Sequence, residues 1–587
     1  MHSPLDSLTG LKKNTEELLG LFNSRVDRMR NKDGYSQLVR RLDERRAGET
    51  LLKMFGRGTF TAIGIDGSMD QVESLEMLLF YVNAAAYSCD LDISQSGVTF
   101  DLRGARRENA LGTTSAVPLW LEDCATVAAT TGSQESEFDH MAALMNISFS
   151  LMLMAELTSA RSSLSTRGVK VLFMDRPLSG SHHTLGRDVR QLLLKEHSPL
   201  ELLYGKGLKR DLFLATALPV PGTAVVTHGP YAMHAVLQRL SEGISFVDAF
   251  KELALDQAKG ASLQEALFRR DRAYALFDKG SKEVILDREC MGFRERLDEL
   301  ANRVTGRLFS SEEYPLRVDG EWLTTVELNA VNYILLWSLV DRARRDEILL
   351  LGLTKDTGSS DVSRSVLGMS GVPDSLKPGM RHDRVMFSII SATNPKICVP
   401  PWRSVGYDSC FSTLAENAES VSGKVPRLRA ARKVASRERL FIRTYFQTRA
   451  SSKTAYRSPV FLLDRPYDEQ FDRSGLIDFE YVERGGLQEM KPYLEREGFN
   501  ELDNAVLLLL ARSDNPEVFE AYGHNELLYL ADKAVKADVK LMHGTLEGLV
   551  NLELTPLARR ENLFAIIRRY RDARSQMEAA RESSSSV

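Results

Sequence analysis

The chain has little that would tie it to a membrane, a disulfide framework or a zinc site. Its five cysteines, Cys89, Cys124, Cys290, Cys398 and Cys410, are odd in number and widely scattered, and no CxxC pair occurs. That spacing supports neither a disulfide scaffold nor a zinc knuckle. No run approaches the roughly 18–20 consecutive apolar residues of a membrane helix. The opening Met1-His2-Ser3-Pro4-Leu5-Asp6 lacks the basic-then-apolar build of a secretory signal. Gly205-Lys206-Gly207 does not have the spacing of a phosphate-binding loop, so no motor activity is expected of the chain itself. No internal repeat is evident. What remains is a chain of 587 residues, 43% hydrophobic and 27% charged, expected to be cytoplasmic and to fold as two to four modules.

The formal net charge of −4 argues against a uniformly basic coat. Its distribution is uneven. Between Lys424 and Arg457 stand Arg427, Arg429, Arg432, Lys433, Arg437, Arg439, Arg443, Arg449 and Lys453 against the single acid Glu438. A solvated surface stretch usually mixes signs, whereas a block of one sign is the footprint of a polyanion.

Residues 1–55 read as helical, with Leu11, Leu18, Leu19, Leu21, Phe22 and Val26 near helical spacing. The pattern then changes. Strands are expected over 59–66, within 77–90 and over 97–102. A buried helix follows from Met141 to Leu157, with Asp139 just before it and Arg161 just past it, and then a strand from Val169 that ends on Asp175. Three antiparallel strands, a helix and a parallel strand are the order of a ribonuclease H-like α/β core, a mixed sheet flanked by helices. The first part of that core is assigned to 56–186. Residues 187–330, including 231–254 and 260–277, read as a large helical insertion. Residues 331–555 read as the second part of the core. A helix over 324–344 leads into it, and it holds strands over 347–355, 439–446 and 458–463 and the basic block 424–457. Residues 556–587 read as a basic helix and a disordered serine tail.

Two of the expected strands end in the same way. Ala62-Ile63-Gly64-Ile65 leads to Asp66 and then Gly67-Ser68; Val171-Leu172-Phe173-Met174 leads to Asp175 and then Arg176-Pro177. Asp and Gly are poor strand residues, so each strand should stop at its acid and present it at the sheet edge. Glu156 lies in the apolar run Leu151-Met152-Leu153-Met154-Ala155, where an unpaired charge is costly. In this element order the three carboxylates converge. Clustered acids coexist around a cation, and an oxygen-only donor set suits Mn²⁺ or Mg²⁺. One or two such ions can support phosphodiester hydrolysis. The Ser181-His182-His183-Thr184 stretch reads as a loop whose histidines face solvent.

These segments resemble those of the NurA nucleases, a family of manganese-dependent DNA-end nucleases that work with the HerA ATPase. Gly64-Ile65-Asp66-Gly67-Ser68, Glu156 and Leu172-Phe173-Met174-Asp175-Arg176-Pro177-Leu178 carry the likeness, with Gly523-His524-Asn525-Glu526 leading to Asp532 near the C-terminus. The resemblance implies that Asp66, Glu156, Asp175 and Asp532 bind metal. His524 stands where the family usually has Tyr, and a role as ligand or proton shuttle is implied for it. Leu350-Leu351-Gly352-Leu353-Thr354-Lys355 is similar to the family's later strand ending in Lys, and Phe441-Ile442-Arg443-Thr444-Tyr445 to its Arg/Tyr strand. Lys355 and Arg443 are thereby expected to hold DNA, together with Arg427, Arg429, Arg432, Lys433 and Arg439 of the basic block. A homodimer bound to a hexameric HerA-type ATPase, acting in DNA end resection or anti-phage defence, is further implied. The rival reading is a catalytically weak DNA-end-binding subunit of such a complex.

Overall fold

The strand that carries Asp66 does not stop there. In the computed structural model it runs unbroken from Gly58 to Ser74 and pairs along its whole length with Met77–Ser94. The expected break at Gly67-Ser68 is therefore corrected. The ladder with the second strand continues through both residues, which face Ala84 and Asn83. The structure describes the chain outside 1–3, 75–76, 119–145, 217–228, 254–274, 279–282, 287–291, 311–314, 356, 370–379, 381, 410–417, 420–426, 430–439, 451–455, 474, 484–485, 497, 519, 521 and 555–587. The expected helical stretch 260–277 falls largely outside these residues. The first part of the 141–157 helix and the C-terminal helix and serine tail also lie outside them.

The main sheet has 11 strands. They are β1 (Val39–Arg41), β2 (Gly58–Ser74), β3 (Met77–Ser94), β4 (Gly97–Phe100), β5 (Arg106–Pro118), β6 (Val169–Met174), β7 (Leu349–Thr354), β8 (Trp402–Ser404), β9 (Tyr407–Asp408), β10 (Phe441–Gln447) and β11 (Phe461–Pro466). Their order is β1-β8-β10-β11-β7-β6-β2-β3-β4, with β5 also on β3 and β9 also on β10. The meander β2-β3-β4 is antiparallel, β6 lies parallel to β2, and β7 lies parallel to β6. This is the ribonuclease H-like core, extended beyond β7 by the antiparallel strands β11, β10 and β8.

The central strands β6 and β7 are nearly continuous apolar runs because helices cover both faces of the sheet. Ile63, Ile65, Leu172, Met174 and Leu350 pack on one side with the helices Ile147–Ser163 and Thr325–Arg345. Ala62, Val171, Phe173, Leu351 and Leu353 pack on the other with Glu501–Arg512 and the start of Glu526–Leu549. The helix Thr325–Arg345 begins with a full capping box of Thr324 and Glu327, which fixes its start at the expected place.

Three local expectations change. The strand β5 was not anticipated, because Arg106-Arg107-Glu108-Asn109 and Thr113-Thr114-Ser115 are polar on both faces. Only the period-two series Leu111, Thr113, Ser115, Val117 marks it. Arg161 is inside the last turn of its helix and not beyond it. Ser181-His182-His183-Thr184 belongs to the helix Leu178–Leu194, where His182 is buried with Nε2 2.9 Å from the Tyr333 hydroxyl. No described helix is long and apolar enough to cross a membrane.

Candidate active site

Side-chain alternation brings three charged residues to one face of the sheet. Ala62, Val171 and Phe173, and Leu351 and Leu353, all face the Glu501–Arg512 helix. Continuing by twos puts Asp66 on β2, Asp175 just past β6 and Lys355 just past β7 on that same face. The register aligns them, since Ile65 and Gly352 both pair with Met174. The Asp175 N–H donates to the Ile65 carbonyl at 3.1 Å, and Lys355 Nζ lies 4.0 Å from Asp175 Oδ2. Asp66 thus sits where its parallel neighbour ends, although its own strand continues. The turn after Asp175 crosses directly over β7 at Gly352, where a side chain would collide with the Arg176 carbonyl and Leu178.

Glu156 approaches from the opposite face. Its helix packs against Ile63 and Ile65, and its carboxylate reaches the sheet at Gly67. A Cβ on Gly67 would stand 2.5 Å from Glu156 Oε1, so glycine is what admits the acid. Glu156 is buried and forms an ion pair with Arg176 through Oε2 and Nε.

Asp532 arrives on a helix that runs alongside β2. At Gly64 a Cβ would lie 2.6 Å from Leu527 Cβ, so the two backbones touch there. Further along, Asn83, which faces Ser68, donates to the Val535 carbonyl at 3.3 Å. Helix and strand therefore advance in the same direction. From the Gly64 contact Asp532 is about 7 Å up the helix and Asp66 about 7 Å along the strand, which keeps the two level. Asp532 also pairs with Lys536 at 2.7 Å.

The electrostatics record this convergence. Burial, followed by Asp175, Glu156 and Asp532, pushes the Asp66 carboxyl up to about 9, against one opposing hydrogen bond from the Gly67 N–H at 2.7 Å. Burial likewise raises Asp175, to about 6, with Lys355 pulling the other way and Glu156 and Asp532 adding to the rise. Asp66 and Asp175 thus carry the cost of clustering carboxylates, a cost that a cation relieves.

His524 precedes the Asp532 helix, behind Gly523. That glycine has φ +77° and is pressed against Ser458, so no side chain fits there. The His524 ring is buried edge-on against Phe461, with ring centroids 5.3 Å apart. Burial, and then the nearby Lys355, lower its pKa to about 4, so the imidazole is neutral at ordinary pH. Nδ1 donates to the Asn525 carbonyl at 2.9 Å, which leaves the buried Nε2 with a free lone pair and no hydrogen-bond partner.

The donor set fits a hard divalent ion in kind: carboxylates supplemented by one neutral imidazole. It is not drawn together as a finished metal site. Among the described residues no three His, Cys, Asp or Glu side chains stand close enough to hold one ion. The carboxylate of Glu156 is turned to Arg176. For Arg176 the sequence carries a single signal, a cation directly after a strand-end acid.

The basic block divides. Arg427 and Arg429 lie on a short strand beside Phe479–Glu483. Arg432, Lys433 and Arg439 fall outside the described residues. Arg443 is corrected: it is buried in ion pairs with Asp361 and Asp464, and Asp464 in turn accepts from the Ser179 N–H and hydroxyl. This guanidinium presents no face to a phosphate. It ties β10 and β11 to the helix that follows Asp175. Arg449 pairs with Asp514, and Arg457 donates to Ser391 Oγ and the Cys398 carbonyl.

The structure is similar to several solved NurA nucleases. The NurA nuclease from Sulfolobus solfataricus shares 8% identity at a TM-score of 0.36, over 94% of this chain and 99% of that one. NurA with manganese shares 11% at 0.33, over 92% and 98%. NurA bound to dAMP and manganese shares 11% at 0.31, over 87% and 94%. No protein-family model matches the chain, and no curated protein does.

Proposed function

We propose that this chain is a metal-dependent, NurA-like DNA nuclease that hydrolyses phosphodiester bonds at DNA ends. The observation that carries the reading is the convergence of Asp66, Glu156, Asp175 and Asp532 from two strands and two helices; burial first, and the other three acids after it, push the Asp66 carboxyl up to about 9. Such an arrangement is costly to the fold and is characteristic of a functional site. Asp66, Glu156, Asp175 and Asp532 would hold one or two Mn²⁺ or Mg²⁺ ions, with His524 Nε2 as a further donor or as acceptor of a proton. When bound, the ions supply Lewis-acid activation of water and of the phosphate.

The remaining work falls to the chain's own groups. Lys355, partly exposed beside Asp175, would hold a phosphate oxygen. Turning Glu156 toward the other acids would free Arg176 to do the same from the opposite side. Arg427, Arg429, Arg432, Lys433 and Arg439 would hold the DNA backbone through sequence-independent, salt-sensitive contacts. The partner and setting rest on the sequence resemblance: a homodimer acting with a HerA-type hexameric ATPase, in end resection or anti-phage defence.

The test is cleavage of linear DNA with Mn²⁺ by the wild type and by Asp66→Ala. Loss of at least a hundredfold in the variant supports the reading, and cleavage indifferent to the substitution refutes it. The Glu156–Arg176 pair favours a second reading, a DNA-end-binding subunit with a weak catalytic centre. Absence of cleavage even with the partner ATPase would select that one.

A further inference from the structure

One ion pair holds Glu156 away from the other acids. Its Oε2 accepts from Arg176 Nε, and among the described residues neither side chain has a second ion-pair partner. We propose that this pair is a latch between metal and DNA. Arg176 occupies Glu156 while the site is empty and passes to a backbone phosphate when DNA arrives, so that DNA and a divalent ion bind cooperatively. The inference rests on the nuclease reading and adds to it a regulation of the same site.

Three features of the structure carry it. The first is position. Arg176 directly follows Asp175, yet its partner Glu156 approaches from the opposite face of the sheet, so Arg176 bridges the two halves of the cluster. The second is a split in exposure. The Glu156 side chain is 4% exposed and that of Arg176 17%, and Arg176 lines an open cleft of about 400 Å³. The acid is sealed inside while the guanidinium can be met from outside. Only its Nε is engaged by a described residue, which leaves the Nη donors for a phosphate, the anion a planar guanidinium fork suits. The third is the other oxygen of Glu156. Oε1 already lies against Gly67, next to Asp66, where a Cβ would stand 2.5 Å from it. Glu156 therefore reaches the Asp66 strand with its helix in place, and side-chain rotation is enough to exchange its partner.

The coupling follows from charge. A buried carboxylate needs a countercharge, and a largely buried guanidinium needs an anion. A cation on Glu156 leaves Arg176 unpaired and ready for phosphate. A phosphate on Arg176 leaves Glu156 unpaired and ready for a cation. Each ligand removes the competitor of the other, and linkage makes the two gains in affinity equal.

The experiment measures both affinities on the full chain. The probe is a short linear duplex with phosphorothioate ends, shown intact on a gel after each titration. Its binding is read by fluorescence anisotropy in EDTA and in Mn²⁺. Binding of Mn²⁺ is read from the paramagnetic resonance of the free ion, without and with the duplex, after subtracting the ion held by DNA alone. In wild type each ligand should tighten the other by one and the same factor, at least about fivefold. Arg176→Met should bind Mn²⁺ more tightly than wild type when DNA is absent, and its coupling should shrink. Arg176→Lys keeps a countercharge for Glu156 and guards against loss of the fold; without the fork its coupling should also fall below that of wild type. Independent binding of the two ligands by wild type, wild-type coupling in either variant, or Mn²⁺ affinity in Arg176→Met no higher than in wild type would each overturn the inference. Failure of the nuclease reading shows separately, as cleavage that survives Asp66→Ala.

Discussion

Replacing Asp66 with asparagine should make the metal-free chain more stable while abolishing Mn²⁺-dependent cleavage. In the folded chain Asp66 keeps its proton up to about pH 9, whereas the ordinary value is 3.8. Across that window the folded state binds more proton than the unfolded state, so stability falls as pH rises. At pH 7 the displacement corresponds to about 4 kcal/mol against folding. Some of this relaxes as neighbouring side chains turn, leaving a gain of about 2–4 kcal/mol for a residue that never ionises. Asparagine keeps an acceptor for the Gly67 N–H, now bonded at 2.7 Å, so little is lost in exchange. The assay is thermal or urea unfolding of both chains in EDTA at several pH values. The gap should be small near pH 5, grow through pH 8, and invert when Mn²⁺ is added, because the ion stabilises the wild type by mass action. An asparagine variant less stable than wild type at pH 8 in EDTA, or a gap independent of pH, would refute the account of the cluster.

Gly67→Ala should reduce cleavage at least tenfold with a modest loss of stability, because the added Cβ meets Glu156 Oε1 at 2.5 Å; activity and urea midpoints measured together check this. Arg443→Ala should destabilise the chain by about 3–5 kcal/mol, the usual consequence of leaving two buried carboxylates unpaired, and should not alter the salt dependence of DNA binding. Reversing Arg427, Arg429, Arg432 and Lys433 to Glu should weaken DNA binding and flatten its dependence on salt, read from affinities between 50 and 200 mM salt, roughly the range over which phosphate contacts show. The pH–rate profile should lack a limb near pH 6–7 from His524, whose imidazole stays neutral down to about 4, and His524→Gln should leave the profile's shape unchanged there.

The sequence by itself determined the period-two alternation, and alternation places side chains. It sufficed to find β2, β3, β6 and β7, the ribonuclease H-like order, and three of the acids. It even holds the reason why Asp66, Asp175 and Lys355 share a face, since each lies an even number of residues beyond inward-facing apolar ones. It failed where local character is ambiguous. Asp66-Gly67-Ser68 has the composition of a turn, but β3 pairs with it, and ladder hydrogen bonds from a partner strand outweigh weak local preference. The polar edge strand β5 was missed for the converse reason. Only the tertiary structure decided which charges are spent inside the protein. Arg443 and Arg176 look like free cations in a sequence, and what removes Arg443 from the DNA surface is the pair Asp361 and Asp464, the first 82 residues away along the chain and the second opposite it on the neighbouring strand. The close approaches at Gly64, Gly67 and Gly352, which bring helix and strand acids within reach of one another, belong to packing. They depend on which backbone lies opposite, and a linear pattern does not carry that information.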